Sequence, residues 1–330
     1  MKILVTGASG QDGVLLIKHI LHSDPEVKII ALSRNEKKFY LNLFYAGGAE
    51  LVSNFMNSGI FITCDITDRR QITQQLGDIH PNAIFHLAAH VEPLLTKSNE
   101  SQVLQKNLIG LINIVEACEH LKIFPHIINA GSSLMFGAVE TLSANELTPF
   151  RPLSAYGIGK VAAHQFALCF RTYKEQKIST AILFNHESIL RDERWLPAKI
   201  IAASVRIKRG EQDRLHLGDI EASRDWSAAK DIVTGLYAIL EKRAVNRDFV
   251  LGFGDTMKVS EVLDIAFKRI GLDWKNYTDV QESLCRGNDV LGFSADITRA
   301  KRELNWKPSQ SALEWVSEIQ DFHLEKTERK

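Results

Sequence analysis

The chain opens with the apolar run Ile3-Leu4-Val5-Thr6 and passes directly into Gly7-Ala8-Ser9-Gly10-Gln11-Asp12-Gly13. Glycines three residues apart, between a strand and a helix, let the backbone turn sharply. Its N–H groups then face a pyrophosphate at the helix N-terminus, where the helix dipole favours negative charge. An ordinary glycine-rich loop is the alternative, but the strand before the turn and the helix after it favour a dinucleotide site. The rest of the first half follows the same plan. Residues 3–6, 28–32, 60–63, 83–87 and 126–129 read as short strands separated by helix-length amphipathic stretches. Residues 153–176 read as a long helix and 179–183 as a further strand. This order predicts an α/β fold, a Rossmann-type doubly wound parallel sheet covered on both faces, as a dinucleotide-binding domain over residues 1–185.

After Asn185 the pattern loosens. Residues 196–209, 228–241, 259–271 and 312–324 read as helices, 214–217 as an extended piece and 326–330 as a frayed tail. A smaller lobe over 186–330, closing on the C-terminal edge of the sheet and partly interleaved with it, is the expectation. Charge matters here because 40 Lys and Arg balance 40 Asp and Glu. No global field draws nucleic acid or an anionic membrane, so any phosphate must be held locally. The absence of an apolar run of ~20 residues and of a leader-like start predicts a cytoplasmic location. Cys64, Cys118, Cys169 and Cys285 make no CxxC pair and are expected as buried thiols, and the histidines have no ligand spacing, so no metal is expected.

The second strand ends in Leu32-Ser33-Arg34-Asn35, without the acidic residue that would meet an adenosine 2′-hydroxyl. Arg34 can clasp a 2′-phosphate with its planar fork and Ser33 can add a hydroxyl bond, which favours NADP over NAD. The alternative is a solvated cationic turn. Asp65 and Ile66 are expected beside the adenine, and Leu87, Ala88 and Ala89 along the pyrophosphate and ribose.

Tyr156 and Lys160 lie one helical turn apart on the 153–176 helix. An ammonium beside a phenol, helped by an oxidised nicotinamide, is expected to draw the phenol from its ordinary pKa of about 10 toward neutrality and make it a base at a sugar hydroxyl. Ser132, at the end of the fifth strand, can hold that hydroxyl. A solvated Tyr/Lys pair is the alternative; the glycine turn and Gly131-Ser132-Ser133 in the proper order favour the catalytic reading.

With these features in place the sequence resembles the extended short-chain dehydrogenase/reductases, and within them the GDP-mannose 4,6-dehydratase branch. The resemblance rests on residues 6–13, Tyr156 to Lys160, Asn185-His186-Glu187-Ser188, Leu217-Gly218-Asp219, Arg224-Asp225-Trp226 and Leu304-Asn305-Trp306-Lys307-Pro308. It implies that Asn185, Lys199, Arg224 and Arg286 surround a nucleotide diphosphate and that Asp289 reaches a ribose hydroxyl. The branch's Arg-Pro-x-Glu is Arg286-Gly287-Asn288-Asp289 here. A larger departure is Gly131-Ser132-Ser133-Leu134-Met135-Phe136-Gly137, where the branch has Ser-Thr-Ser-Glu-Leu-Tyr-Gly. Ser132 replaces the threonine, and Leu134 occupies the place of the glutamate that moves the proton at carbon 5.

The leading expectation is therefore an NADP(H)-dependent oxidoreductase acting by hydride transfer at carbon 4 of a GDP-hexose, as a 4-keto-6-deoxy-sugar reductase or a 4-dehydrogenase. A dehydratase or epimerase using His90, Glu92 or His186 as a displaced acid/base is the near alternative, with His90 also a candidate substrate contact. A non-catalytic nucleotide-binding scaffold is the distant one. Apolar faces on residues 102–121 and 153–176 predict, by the same resemblance, a homodimer or homotetramer, and a buried intrachain core is equally consistent with them.

Overall fold

Strand β1 (Lys2–Thr6) is buried on both faces, with Ile3 and Val5 in one apolar cluster and Leu4 in another. Successive side chains of a strand point to opposite sides, so a strand apolar throughout needs cover on both. The computed structural model describes residues 1–90, 99–139, 141–284 and 292–328.

In chain order the first half runs β1, α1 (Gln11–Ser23), β2 (Lys28–Ser33), α2 (Glu36–Ser58), β3 (Gly59–Thr63), α3 (Arg69–Ile79), β4 (Ala83–His86), α4 (Glu100–Leu121), β5 (His126–Ala130), β6 (Ser143–Ala144), α5 (Ala155–Tyr173) and β7 (Ile178–Leu183). The second half continues with β8 (Asn185–Glu187), α6 (Leu196–Lys208), β9 (Leu215–Leu217), β10 (Ser223–Arg224), β11 (Trp226–Ala228), α7 (Ala229–Glu241), β12 (Phe249–Leu251), β13 (Met257–Lys258), α8 (Val259–Arg269), β14 (Thr278–Val280), β15 (Ser294–Ala295) and α9 (Ala312–Glu328).

Seven strands form a parallel sheet in the order β12-β7-β5-β4-β1-β2-β3. One apolar cluster holds residues of α1, α2 and α7, the other residues of α3, α4 and α5. Strand order reverses between β1 and β4, and in sheets of this type ligands bind in the crevice beyond the strand ends at that point. A third cluster joins α6, α8 and α9 to β9 and β11. The interleaving is concrete: β12 pairs in parallel with β7 as an outer strand, and α7 packs against α1.

The long helix begins at Ala155 rather than 153, because the Ser154 hydroxyl accepts the Gly157 N–H at 3.1 Å and caps it. Cys64 and Cys118 are buried, whereas Cys169 is exposed on α5, contrary to expectation, and Cys285 lies outside the described residues. A long amphipathic helix has a wet side, and composition does not say which residues take it.

Candidate active site

The glycine turn is fixed by close approach. Gly7 has a φ of 70°, and a Cβ on Gly13 would stand 2.6 Å from the Gly7 carbonyl oxygen, so only glycine fits there. Ala88, after β4, lies directly against Gly7, and its N–H points to the Thr6 hydroxyl at 3.4 Å. The N-terminus of α1 has Gly10 as its cap residue and no side-chain capping bond. An uncapped first turn leaves N–H groups that a pyrophosphate suits. On this observation the residues present fit a dinucleotide.

The rim of the same crevice carries the other cofactor candidates. The Ser9 and Ser33 hydroxyls are 2.7 Å apart. Arg34, whose side chain is 68% exposed, has its guanidinium 3.8 Å from the carboxylate of Asp65, two residues beyond β3, so a carboxylate following a different strand stands beside it. Ile66 follows Asp65, and its carbonyl accepts from Asn113 of α4 at 2.9 Å. Leu87, Ala88 and Ala89 follow β4, and the His90 backbone is held at both N–H and C=O by the Asn107 amide.

Ser132, Tyr156 and Lys160 converge beyond β5. The Ser132 hydroxyl accepts the Leu134 N–H at 3.2 Å and hydrogen-bonds the Tyr156 phenol. Gly157 lets the start of α5 press on this turn, since a Cβ there would lie 2.5 Å from the Leu134 carbonyl oxygen. The Lys160 ammonium donates to the Ala130 carbonyl at 2.8 Å and lies 5.8 Å from the centre of the Tyr156 ring. Burial pushes Tyr156 up to about 12 and Lys160 down to about 8. The expected acidic phenol is thus not found in the protein alone. Burial outweighs the pull of Ser132 and Arg191 on Tyr156, while Asp12 opposes it.

Sequence reasoning passed over the charged row that faces this phenol. Asp12 accepts from Gln11 at 3.2 Å and meets His186 at 2.9 Å. The other His186 ring nitrogen meets the Phe184 carbonyl at 2.6 Å. Two acceptors on one ring favour the imidazolium: the carboxylate outweighs burial and raises His186, and the imidazolium outweighs burial and holds Asp12 at about 2. Ser188 donates to Gln11 at 2.8 Å, fastening β8 to the turn a second time. Glu187 and Arg191 stand behind, 3.8 Å apart. Only Gln11-Asp12 beside Asn185-His186-Glu187-Ser188 hinted at this row.

On the other wall, β8 pairs with β11, and the Asn185 amide donates to the Asp225 carbonyl at 3.3 Å. Asp225 is buried and accepts the N–H groups of Phe253, Gly254 and Ala295 at 2.8, 2.9 and 2.9 Å, tying three segments beside Arg224. Lys199, on α6, donates to the His216 carbonyl at 2.8 Å. Arg286, Asp289 and Glu92 lie outside the described residues.

The sequence model of a family described as GDP-mannose 4,6 dehydratase matches residues 4–319. The chain belongs to this family. GDP-mannose 4,6 dehydratase 1 of Arabidopsis thaliana is 32% identical over 331 residues, covering 99% of this chain and 90% of its own. The human GDP-mannose 4,6 dehydratase is 27% identical over 340 residues, covering 96% and 89%. Solved structures agree on the fold. The RMD protein of Pseudomonas aeruginosa, complexed with NADPH, superposes with a TM-score of 0.80 at 19% identity over 98% of this chain and 99% of its own. UDP-glucose 4-epimerase of Thermotoga maritima, with UDP-glucose, gives 0.82 at 22% over 99% of each. The family member described here is thus an enzyme of the extended short-chain dehydrogenase/reductase type.

Proposed function

We propose that the chain is an NADP(H)-dependent oxidoreductase working by hydride transfer at carbon 4 of a GDP-hexose, and that reduction of a 4-keto-6-deoxy sugar is its direction. The observation that carries this is Leu134. It is 46% exposed in the turn whose Ser132 touches Tyr156, at the place where the resemblance puts the dehydratase glutamate. A leucine moves no proton, whereas chemistry at carbon 4 needs only the Ser132, Tyr156 and Lys160 set.

The resting phenol is compatible with reduction. With Tyr156 pushed up to about 12, it rests protonated. That is the form a carbonyl oxygen needs as hydride arrives at carbon 4: the phenol proton passes to the oxygen and a hydroxyl results. A nicotinamide held by the glycine turn would supply the hydride. Ser132 orients the carbonyl, and Lys160⁺ offsets the negative charge left on the phenol.

Residues 1–185 hold the dinucleotide through Gly7, Ser9, Gly10, Gln11, Asp12 and Gly13, with Ser33 and Arg34 on the 2′-phosphate. Residues 186–330 hold the nucleotide sugar through Asn185 at the boundary, Lys199 and Arg224, two cations suited to a diphosphate. Family membership supports GDP as the nucleotide. A homodimer or homotetramer through α4 and α5 completes the reading; Ile158 and Leu168 are exposed on α5. Incubation with NADPH and GDP-4-keto-6-deoxymannose, set against CDP- and UDP-linked 4-keto sugars, tests it by loss of NADPH.

Dehydration is a second reading, supported by the family and by His90, half-buried at the mouth of β4 with its backbone held by Asn107. His186 is a poorer substitute, since both ring nitrogens are engaged. Formation of the 4-keto-6-deoxy product from GDP-mannose without net change in cofactor would establish it.

A further inference from the structure

Met135 is a buried side chain with a polar task that the reading above leaves unassigned. It is 0% exposed, and its thioether Sδ accepts the backbone N–H of Ser132 at 3.4 Å. The sheet explains why that N–H needs a partner there. Gly131 makes the last bond to β7, its N–H donating to the Ala181 carbonyl at 2.7 Å. Successive residues of a parallel strand bond to opposite neighbours, so the Ser132 N–H turns toward β4, and β4 has already ended at His86, which pairs with Asn129. An N–H left without an acceptor beside a buried turn is costly, and a thioether is a weak acceptor that can fill the place.

Room for the sulfur comes from Gly131. A Cβ on that residue would stand 3.1 Å from the Met135 Sδ and equally close to the Thr180 methyl, nearer than the roughly 3.5–4.0 Å of ordinary contact. Gly131 and Met135 both depart from the dehydratase pattern, which has serine and leucine at these two places. The departures are complementary: a leucine methyl accepts no hydrogen bond, and a serine Cβ would crowd the sulfur.

We propose that Met135, given its space by Gly131, is a positioning residue that fixes the backbone of Ser132 and with it the hydroxyl that orients the substrate carbonyl. Three bonds brace the turn. The Ser132 Oγ accepts the Leu134 N–H at 3.2 Å, the Ser132 carbonyl accepts the Met135 N–H at 3.0 Å, and the sulfur holds the N–H of Ser132 itself. The first two lie within the turn, whereas the third ties down the peptide that enters it. The start of α5 is seated on the same turn, since a Cβ on Gly157 would lie 2.5 Å from the Leu134 carbonyl oxygen. The Ser132 hydroxyl therefore keeps its place relative to Tyr156 only while the turn holds its shape. A reacting group displaced by about 1 Å costs on the order of 10²-fold in rate, so a weak bond at this point has leverage.

The part played by Ser132 rests on the proposed hydride-transfer function, so the first test needs no turnover. Hydrogen exchange of the free protein, resolved to single amides, should show the Ser132 N–H protected in wild type and exchanging about tenfold or more faster in Met135→Leu. The Gly131 N–H, bonded to Ala181, should stay within about twofold. Gly131→Ala keeps the sulfur but crowds it, and should speed exchange at Ser132 in the same way. In turnover with NADPH and a 4-keto GDP-sugar, each variant should lower kcat about tenfold while both KM values stay within about twofold. The double variant should also be about tenfold slow, because the bond can be lost only once. Equal exchange at Ser132 in wild type and Met135→Leu, an unchanged kcat in both variants, or losses that multiply in the double variant overturn the proposal. Should Met135→Leu fail to fold, Gly131→Ala decides alone. Exchange as expected with no turnover on any 4-keto sugar would fault the function and leave the sulfur bond standing.

Discussion

The His186 ring stands 2.9 Å from the Asp12 carboxylate, joining β8 to the glycine turn across 174 residues of chain. The imidazolium holds Asp12 at about 2, below its ordinary 3.8. A carboxyl lowered on folding contributes stability that is fully present above about 3.8 and is lost as pH falls through about 2. The shift corresponds to roughly 2 kcal/mol. Urea unfolding at neutral pH should find Asp12→Asn less stable by about that amount, with a flatter acid limb.

Tyr156→Phe and Lys160→Met should each lower kcat/KM by ~10²–10⁴ while circular dichroism stays unchanged. The phenol oxygen carries the proton, whereas the lysine, buried against Ala130, contributes charge. Loss of activity accompanied by loss of fold would mark the pair as structural.

Much of this arrangement was legible in the sequence. An apolar strand, a glycine turn and a helix in succession are local, so β1 to β5 were found within a residue or so at each end. The start of the long helix was missed because Ser154 caps it, and β12, three residues long, carries too little periodicity to read. The Asp12–His186 and Arg34–Asp65 pairs join residues from separate elements, and no spacing within one element announces them. The burial of Tyr156 escaped the sequence for a related reason: adjacency of Tyr and Lys is visible there, but the burial that raises the phenol in the protein alone is not.

Arg34 should discriminate between the two dinucleotides. Arg34→Gln is expected to raise KM for NADPH about tenfold or more while leaving KM for NADH within about twofold, because only the former carries the phosphate that the guanidinium grips. Equal effects on both would assign Arg34 to its pairing with Asp65 instead.

Asp225 is a candidate for large destabilisation without any direct part in chemistry. Asp225→Ala would remove the acceptor of the buried Ala295 N–H and of the part-buried Phe253 and Gly254 N–H groups, at a cost of roughly 2–3 kcal/mol. A thermal melt should drop sharply, with Asp225→Asn falling between the variant and wild type.

Leu134→Glu should add what the turn lacks. With a carboxylate on the exposed side chain beside Ser132, GDP-mannose is expected to yield 4-keto-6-deoxy product by mass spectrometry, where wild type yields none. Product from wild type as well would favour a displaced acid/base such as His90.

The most direct measurement is NADPH consumption with a purified 4-keto-6-deoxy GDP-hexose, compared between wild type and Tyr156→Phe. Wild type should convert one NADPH per sugar to the 4-hydroxy product, and the variant should be slower by ~10² or more. No consumption of NADPH with any 4-keto GDP-, CDP- or UDP-sugar would contradict reduction at carbon 4.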